Sequence, residues 1–311
     1  MQGLVNAVPD MIDPSHSTSA ALNRRAFVGL SASLPAFGST IAAALAQGEG
    51  FGRPHPPIVS ESDPAIAVAR PQIRYGTRTL DSYYASPRNA GRTTPAVVVV
   101  QAVWGVDAQL RDTVRRFAKE GYIAVAPDLY TGLGAPSGDG AIDFAPFRDV
   151  AAKLSDDVVD ADLAAAADFV RQGAGGAPQK IGVVGFCMGG AITLRQTVDN
   201  VKEFSAASVF YGKVRYGTTG NNGAITPIAL DYAGSIGVPL AGSWGSRDTS
   251  ILPDDVKALD LRLIELGKPH DFFIYDEAGH AFFDDTRDTY VAPAASDAWT
   301  RTLAWFRRHL T

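Results

Sequence analysis

The chain has 311 residues, 46% apolar and 20% charged, with 31 Gly, 19 Pro and one Cys. This ordinary globular composition excludes disorder, collagen-like repetition and a coiled coil, and the length suits one large α/β domain or at most two small ones. A net charge of -5 excludes a nucleic-acid surface as the working assumption, because phosphate binding needs clustered Lys and Arg.

Residues 1–46 read as an export signal. Arg24 and Arg25 precede a charge-free stretch rich in Ala, Gly and Ser, 26–45, which closes on the small-x-small pattern Ala44-Leu45-Ala46. The paired arginines followed by Ala26-Phe27-Val28 resemble the twin-arginine type. A membrane-anchoring helix is the competing reading, since about 20 residues can just span a bilayer. The polar Gln47-Gly48-Glu49-Gly50 that follows favours removal. The expectation is export to the periplasm, with the export machinery as a partner and cleavage near Ala46. No later apolar run approaches a membrane span, so the mature chain is expected to be soluble.

Residues 47–70 carry Pro54, Pro56, Pro57 and Pro64 and suit an extended arm. The domain proper is expected over 71–311. Short β-branched or aromatic runs at 73–75 and 80–85, separated by Gly76-Thr77-Arg78-Thr79, predict an antiparallel hairpin. Beyond it, apolar runs alternate with helical patterns. Strands are predicted at 96–101, 122–126, 181–186, 206–211, 239–244 and 271–275. Helices are predicted at 108–119, 150–170, 191–198, 254–266 and 294–309. Strands apolar on both faces, each followed by a helix, predict a mostly parallel sheet of about eight strands covered on both sides. The Gly-rich stretch 212–236 reads as a long loop.

A lone cysteine cannot close an intramolecular disulfide, so Cys187 is structural, reactive or incidental. Its context decides. The strand at 181–184 runs into Gly185-Phe186-Cys187-Met188-Gly189-Gly190 and then into a helix, the strand-turn-helix setting of a nucleophile elbow. Small residues two before and two after the nucleophile let the sharp turn pack against its neighbours. The helix N-terminus beneath the sulfur favours its thiolate form.

Such a nucleophile needs an imidazole and an acid, in the chain order nucleophile, acid, His. His55 precedes Cys187 in the arm. His309 ends the last helix beside Arg307 and Arg308 and is expected to be solvated. His270 precedes the last strand, the wrong edge of a parallel sheet, because functional residues gather at carboxyl ends. His280, in Asp276-Glu277-Ala278-Gly279-His280, follows that strand directly and is the base by elimination. The acid is expected at Asp248, at the tip of the 239–244 strand, with Asp128 and Asp231 as weaker rivals. Backbone N–H groups of Met188 and of a residue near Ala102, Val103 and Trp104 are the expected oxyanion donors.

The motifs Gln101-Ala102-Val103-Trp104-Gly105-Val106, Ala126-Pro127-Asp128-Leu129-Tyr130, Gly185-Phe186-Cys187-Met188-Gly189-Gly190, Phe210-Tyr211-Gly212, Gly245-Ser246-Arg247-Asp248 and Glu277-Ala278-Gly279-His280-Ala281-Phe282 resemble the dienelactone hydrolase family. The resemblance spans about 70–310. It implies an α/β-hydrolase fold, a Cys187-Asp248-His280 triad, and hydrolysis of a small-molecule ester or lactone through an acyl-thioester, without cofactor or metal. It maps the second oxyanion donor to Val103. Trp104, Tyr130, Tyr211 and Phe282 are candidate pocket walls. Two positions depart from the family. Ala102 stands where the family has a Glu beside the thiol, and Phe283-Asp284-Asp285 stands where the family has a carboxylate-gripping Arg. A neutral ester or lactone is therefore the expected substrate, unless Arg148 or Arg287 reaches into the site. A non-catalytic thiol-sensing protein, or a thioesterase or peptidase using the same triad, is the alternative.

Overall fold

Five consecutive apolar residues with no polar face need cover on both sides, and the strand at Ala96–Val100 has it: every residue in it is buried. The computed structural model describes residues 56–173, 180–199, 202–214 and 230–311. The export segment, His55 and most of the 212–236 loop lie outside the described residues.

Nine strands occur among the described residues: β1 (Ile66–Ala69), β2 (Gln72–Tyr75), β3 (Arg78–Pro87), β4 (Ala96–Val100), β5 (Ile123–Pro127), β6 (Ile181–Phe186), β7 (Ala206–Phe210), β8 (Leu240–Gly245) and β9 (His270–Tyr275). They run in the order β1-β3-β5-β4-β6-β7-β8-β9, with β2 paired to β3. The pairs from β5 to β9 are parallel, and β3 lies antiparallel to β5. This is the α/β-hydrolase architecture. The strand beyond the expected eight is β1, built from the tail of the Pro-rich segment and paired antiparallel with β3. Upstream, the segment is also bound to the body: the Asp112 carboxylate accepts from Ile58 N and Val59 N, each at 2.9 Å.

Six α-helices occur among the described residues: α1 (Ala108–Lys119), α2 (Ala145–Ala151), α3 (Asp156–Gly173), α4 (Met188–Asp199), α5 (Pro253–Glu265) and α6 (Ala292–Leu310). On one face α1 and α6 meet through Phe117 and Trp299, ring centroids 4.6 Å apart. On the other, α3 and α4 are joined by Arg195 and Asp160. The helix expected over 150–170 is two helices. Lys153 N and Leu154 N turn back to the carbonyls of Val150 and Ala151, and a new helix starts where Asp156 and Asp157 meet its N-terminal dipole. Leu230–Ser235 is a short 3-10 helix at the end of the long loop. No helix among the described residues is long and apolar enough to cross a membrane.

Register sets the site. Val100 is level with Gly185, Phe186 with Phe210, Phe210 with Ser243, and Gly245 with Tyr275. The carboxyl ends of five strands therefore form one edge, and the segments after them converge.

Candidate active site

The elbow is built by sterics. Gly189 packs so closely on the end of β4 that a Cβ there would lie 2.4 Å from the carbonyl oxygens of both Val100 and Gln101. A Cβ on Gly185 would lie 2.1 Å from the Gly189 oxygen. Between them Cys187 adopts φ +55°, a left-handed conformation that costs a non-glycine residue roughly 1–2 kcal/mol. The surroundings hold it there: Cys187 N donates to Phe210 O, and Cys187 O accepts from Ala191 N as α4 begins. The thiol is partly exposed.

The loops after β8 and β9 are stitched by backbone bonds, Ser246 N to Tyr275 O and Arg247 N to Ala278 O, both 2.9 Å. This sets Asp248 beside His280. Asp248 is 3% exposed; its Oδ1 accepts from Ser250 N at 2.8 Å and Ile251 N at 3.0 Å, and its Oδ2 lies 2.7 Å from His280 Nδ1. Burial works to raise the Asp248 carboxyl, but the bonds to His280, Ser250 and Ile251 outweigh it and hold the group below its ordinary value. An ionised carboxylate only accepts, so the proton of that contact sits on Nδ1 and Nε2 faces the sulfur. Nε2 is 3.1 Å from Cys187 Sγ. Burial alone would discharge His280; the hydrogen bonds to Asp248 and Cys187 prevail and push it up to about 10.

Of the other sequence candidates, Val103 and Met188 come together in a small apolar cluster with Tyr130, Phe147 and Val150. The Tyr130 hydroxyl donates to Val103 O at 2.9 Å and lies 3.7 Å from Met188 Sδ, so one phenol ties both residues. Trp104 is half-buried, with Phe147 and Phe144 at ring distances of 5.0 and 5.9 Å. Tyr211 follows β7 at φ +38°, its ring 5.2 Å from His280. Phe282 is fully buried behind it, 5.4 Å away, and supports the Tyr211 ring.

Asp128 accepts from Tyr130 N at 2.9 Å, and burial raises its carboxyl. The side chain of Asp231, like His55, lies outside the described residues. His270 sits at the far end of β9, bonded to Lys268 O and Asp260. His309 is half-buried rather than fully solvated as expected. Its ring packs at a tilt on Trp305, centroids 4.4 Å apart, and burial with nearby Arg308 and Lys180 lowers it. Arg148 is exposed beside Asp149, whereas Arg287 lies over Trp104. Ala102 is half-buried against the core. Its neighbour Gln101, for which no role is expected from sequence, is wholly buried and accepts from Leu129 N, joining the β4 and β5 ends. A glutamine after a solid valine run was the available signal. Among the described residues no group of three His, Cys, Asp or Glu could hold a metal ion.

A mostly parallel sheet with a strained strand-to-helix elbow at Cys187 and the Asp248-His280 pair over its carboxyl edge defines an α/β-hydrolase-class protein. Within that class the chain belongs to the dienelactone hydrolase family, which it matches over residues 80–310, a family of hydrolases. It is 34% identical to a protein of Escherichia coli strain K12 provisionally assigned as a carboxymethylenebutenolidase, over 81% of this chain and 91% of that one. It is 30% identical to a Bradyrhizobium protein provisionally assigned as a 2-oxo-3-(5-oxofuran-2-ylidene)propanoate lactonase, over 74% of this chain and 89% of that one. The crystal structure of a Klebsiella pneumoniae protein provisionally assigned as a dienelactone hydrolase aligns with TM-score 0.70 and 34% identity, covering 79% of this chain and all of the other.

Proposed function

We propose that the protein hydrolyses a carboxylic ester or lactone with Cys187 as nucleophile, His280 as general acid and base, and Asp248 as the group that orients His280. The observation that carries this reading is the continuous relay Asp248 Oδ2, His280 Nδ1, His280 Nε2, Cys187 Sγ at 2.7 and 3.1 Å. The sulfur attacks the acyl carbon while its proton resides on His280. The backbone N–H groups of Met188 and Val103 take the charge of the tetrahedral oxyanion. Collapse expels the alkoxide, which takes the proton from His280 and leaves an acyl-thioester. His280 then removes a proton from water, the hydroxide attacks the thioester, and the acid leaves as the thiol is restored. The provisional assignments of the relatives as a butenolidase and a lactonase support an ester or lactone as the substrate.

The electrostatics favour an uncharged substrate. Asp284 and Asp285, both buried, follow His280 where an anion would need a cation, and they occupy the arginines at hand, Asp284 pairing with Arg287 and Asp285 with Arg116. Purified protein lacking residues 1–46 should turn over p-nitrophenyl butyrate, and Cys187→Ala and His280→Ala should each abolish it. Turnover that survived both changes would sink the reading. A stable sulfenate after mild peroxide, with no acyl-enzyme by mass spectrometry, would instead favour a thiol sensor. The proposal extends to export through residues 1–46, whose removal an N-terminal sequence of the secreted protein would reveal.

A further inference from the structure

The acidic run after His280 leaves Arg287 as the nearest cation in sequence, and an arginine beside an esterase site invites a role in gripping a substrate carboxylate. Its surroundings point elsewhere. The guanidinium carbon lies 3.8 Å from the centroid of the Trp104 ring, a close cation-π stack. Arg287 Nε donates to Asp284 Oδ2 at 3.0 Å, and Nη1 donates to the Ala141 carbonyl at 2.9 Å. The side chain is only 20% exposed. One planar group thus joins the loop that carries His280, the tryptophan after β4, and the segment that leads into α2.

That tryptophan is contiguous with the reacting centre. Phe147 and Phe144 pack on Trp104 from α2 and its start, and Trp104 follows Val103. Val103 is in turn tied through the Tyr130 hydroxyl to Met188, the residue after Cys187. Phe144 and Ile142 of the same segment remain 48% and 93% exposed. Phe147 and Val150 anchor α2 itself, but the segment ahead of it has little packing of its own, and the bond at Ala141 holds that segment to the His280 loop. Asp284, 7% exposed, is the carboxylate that pairs with Arg287 at this corner.

We propose that Arg287 is a specificity-determining positioning residue: stacked on Trp104 and bonded to Ala141 and Asp284, it holds an apolar acyl wall beside Cys187. It thereby selects esters whose acyl group carries no charge. The inference rests on the ester-hydrolase reading above and adds the residue that sets its acyl preference. Arginine suits the task because its flat, delocalised cation covers an indole face while its edge donates in two directions; a lysine ammonium cannot do both.

The test compares p-nitrophenyl butyrate with the mono-p-nitrophenyl ester of succinate, similar in reach but anionic, on wild type, Arg287→Met and Arg287→Lys. Wild type should prefer the butyrate by at least roughly ten-fold. Arg287→Met should raise KM for the butyrate by about three- to thirty-fold, the range that loss of a partly buried cation-π contact represents, with kcat changed less than about two-fold. Arg287→Lys, which keeps the charge opposite Asp284, should show the same KM defect and gives that readout if the methionine variant does not fold. A butyrate KM unchanged in both variants would overturn the proposal. So would a loss confined to the succinate ester in Arg287→Met and restored in Arg287→Lys, the signature of a carboxylate clamp. Mass spectrometry of the wild type with butyrate separates the two levels: no acyl adduct on Cys187 and no turnover would strike the ester-hydrolase reading, whereas an adduct with unchanged variant KM strikes only the role of Arg287.

Discussion

Replacing Asp248 by Asn tests the relay at its buried end. The change keeps the shape, and the Asn carbonyl can still accept from Ser250 N and Ile251 N, so the fold should survive. What disappears is the charge 2.7 Å from His280 Nδ1. The rise of His280 from 6.5 to about 10 corresponds to roughly 5 kcal/mol at 1.36 kcal/mol per unit, net of a burial effect of opposite sign. Asp248 leads the groups that produce the rise, so its neutralisation should lower the imidazole towards its ordinary value, the direction in which burial already acts. The sign follows directly. A His whose folded value is raised keeps its proton until the pH climbs through that value, so wild-type kcat/KM should fall only near pH 10, where the departing alkoxide loses its proton source. In Asp248→Asn the alkaline fall should move to lower pH. With the tautomer no longer fixed, kcat/KM at pH 7 should drop about 10²- to 10⁴-fold. The assay is kcat/KM against pH from 5 to 10.5 with an alkyl ester in a pH-stat, corrected for spontaneous hydrolysis. A variant within three-fold of wild type, with its alkaline limb unmoved, would refute the reasoning.

Two further expectations concern stability. Asp107 caps α1 through Leu110 N, but burial and the nearby Asp284 push its carboxyl up to about 7, against the opposing pull of Leu110 N and Arg287. A raised carboxyl costs the fold stability as pH climbs from 3.8 through about 7, so Asp107→Asn, which keeps the cap, should match wild type near pH 4 and exceed it by up to about 4 kcal/mol at pH 8. Thermal melts at both pH values check this, and a variant less stable than wild type at pH 8 would count against it. Gly189→Ala drives a methyl to 2.4 Å from two carbonyl oxygens and should cost about 3 kcal/mol or more and most of the activity. Gly91→Ala, with nothing within 4 Å, should shift the melting temperature by about 1–2 °C at most. Equal melting temperatures for the two alanine variants would undo the packing argument.

Legibility in the sequence followed the range of the interaction. The valine run at 97–100 announced an interior strand because its neighbours in sequence carry the whole signal. The Gly-framed turn announced Cys187 because the backbone itself demands those residues. The single long helix expected over 150–170 failed on one turn, where Lys153 N and Leu154 N found nearer carbonyls; alanine-rich composition favours helix on both sides of that break and is silent about it. β1 was hidden because four residues of a Pro-rich segment become a strand only when β3 offers its edge. His309 was misjudged for the same kind of reason: flanking arginines suggest solvent, but the ring lies one helical turn from Trp305 and packs on it.

By itself, then, the sequence determined the α/β alternation, the elbow and the chain order of thiol, carboxylate and imidazole, all of which depend on local periodicity and local backbone constraint. Only the tertiary structure decided that Asp248 and His280 stand at 2.7 Å, that Phe282 lies behind Tyr211, and that Arg287 is held against Trp104 and Ala141. Those outcomes join segments far apart in the chain. They are fixed by strand register and by which desolvated groups find partners across the fold, and no window of sequence contains both sides of such a contact.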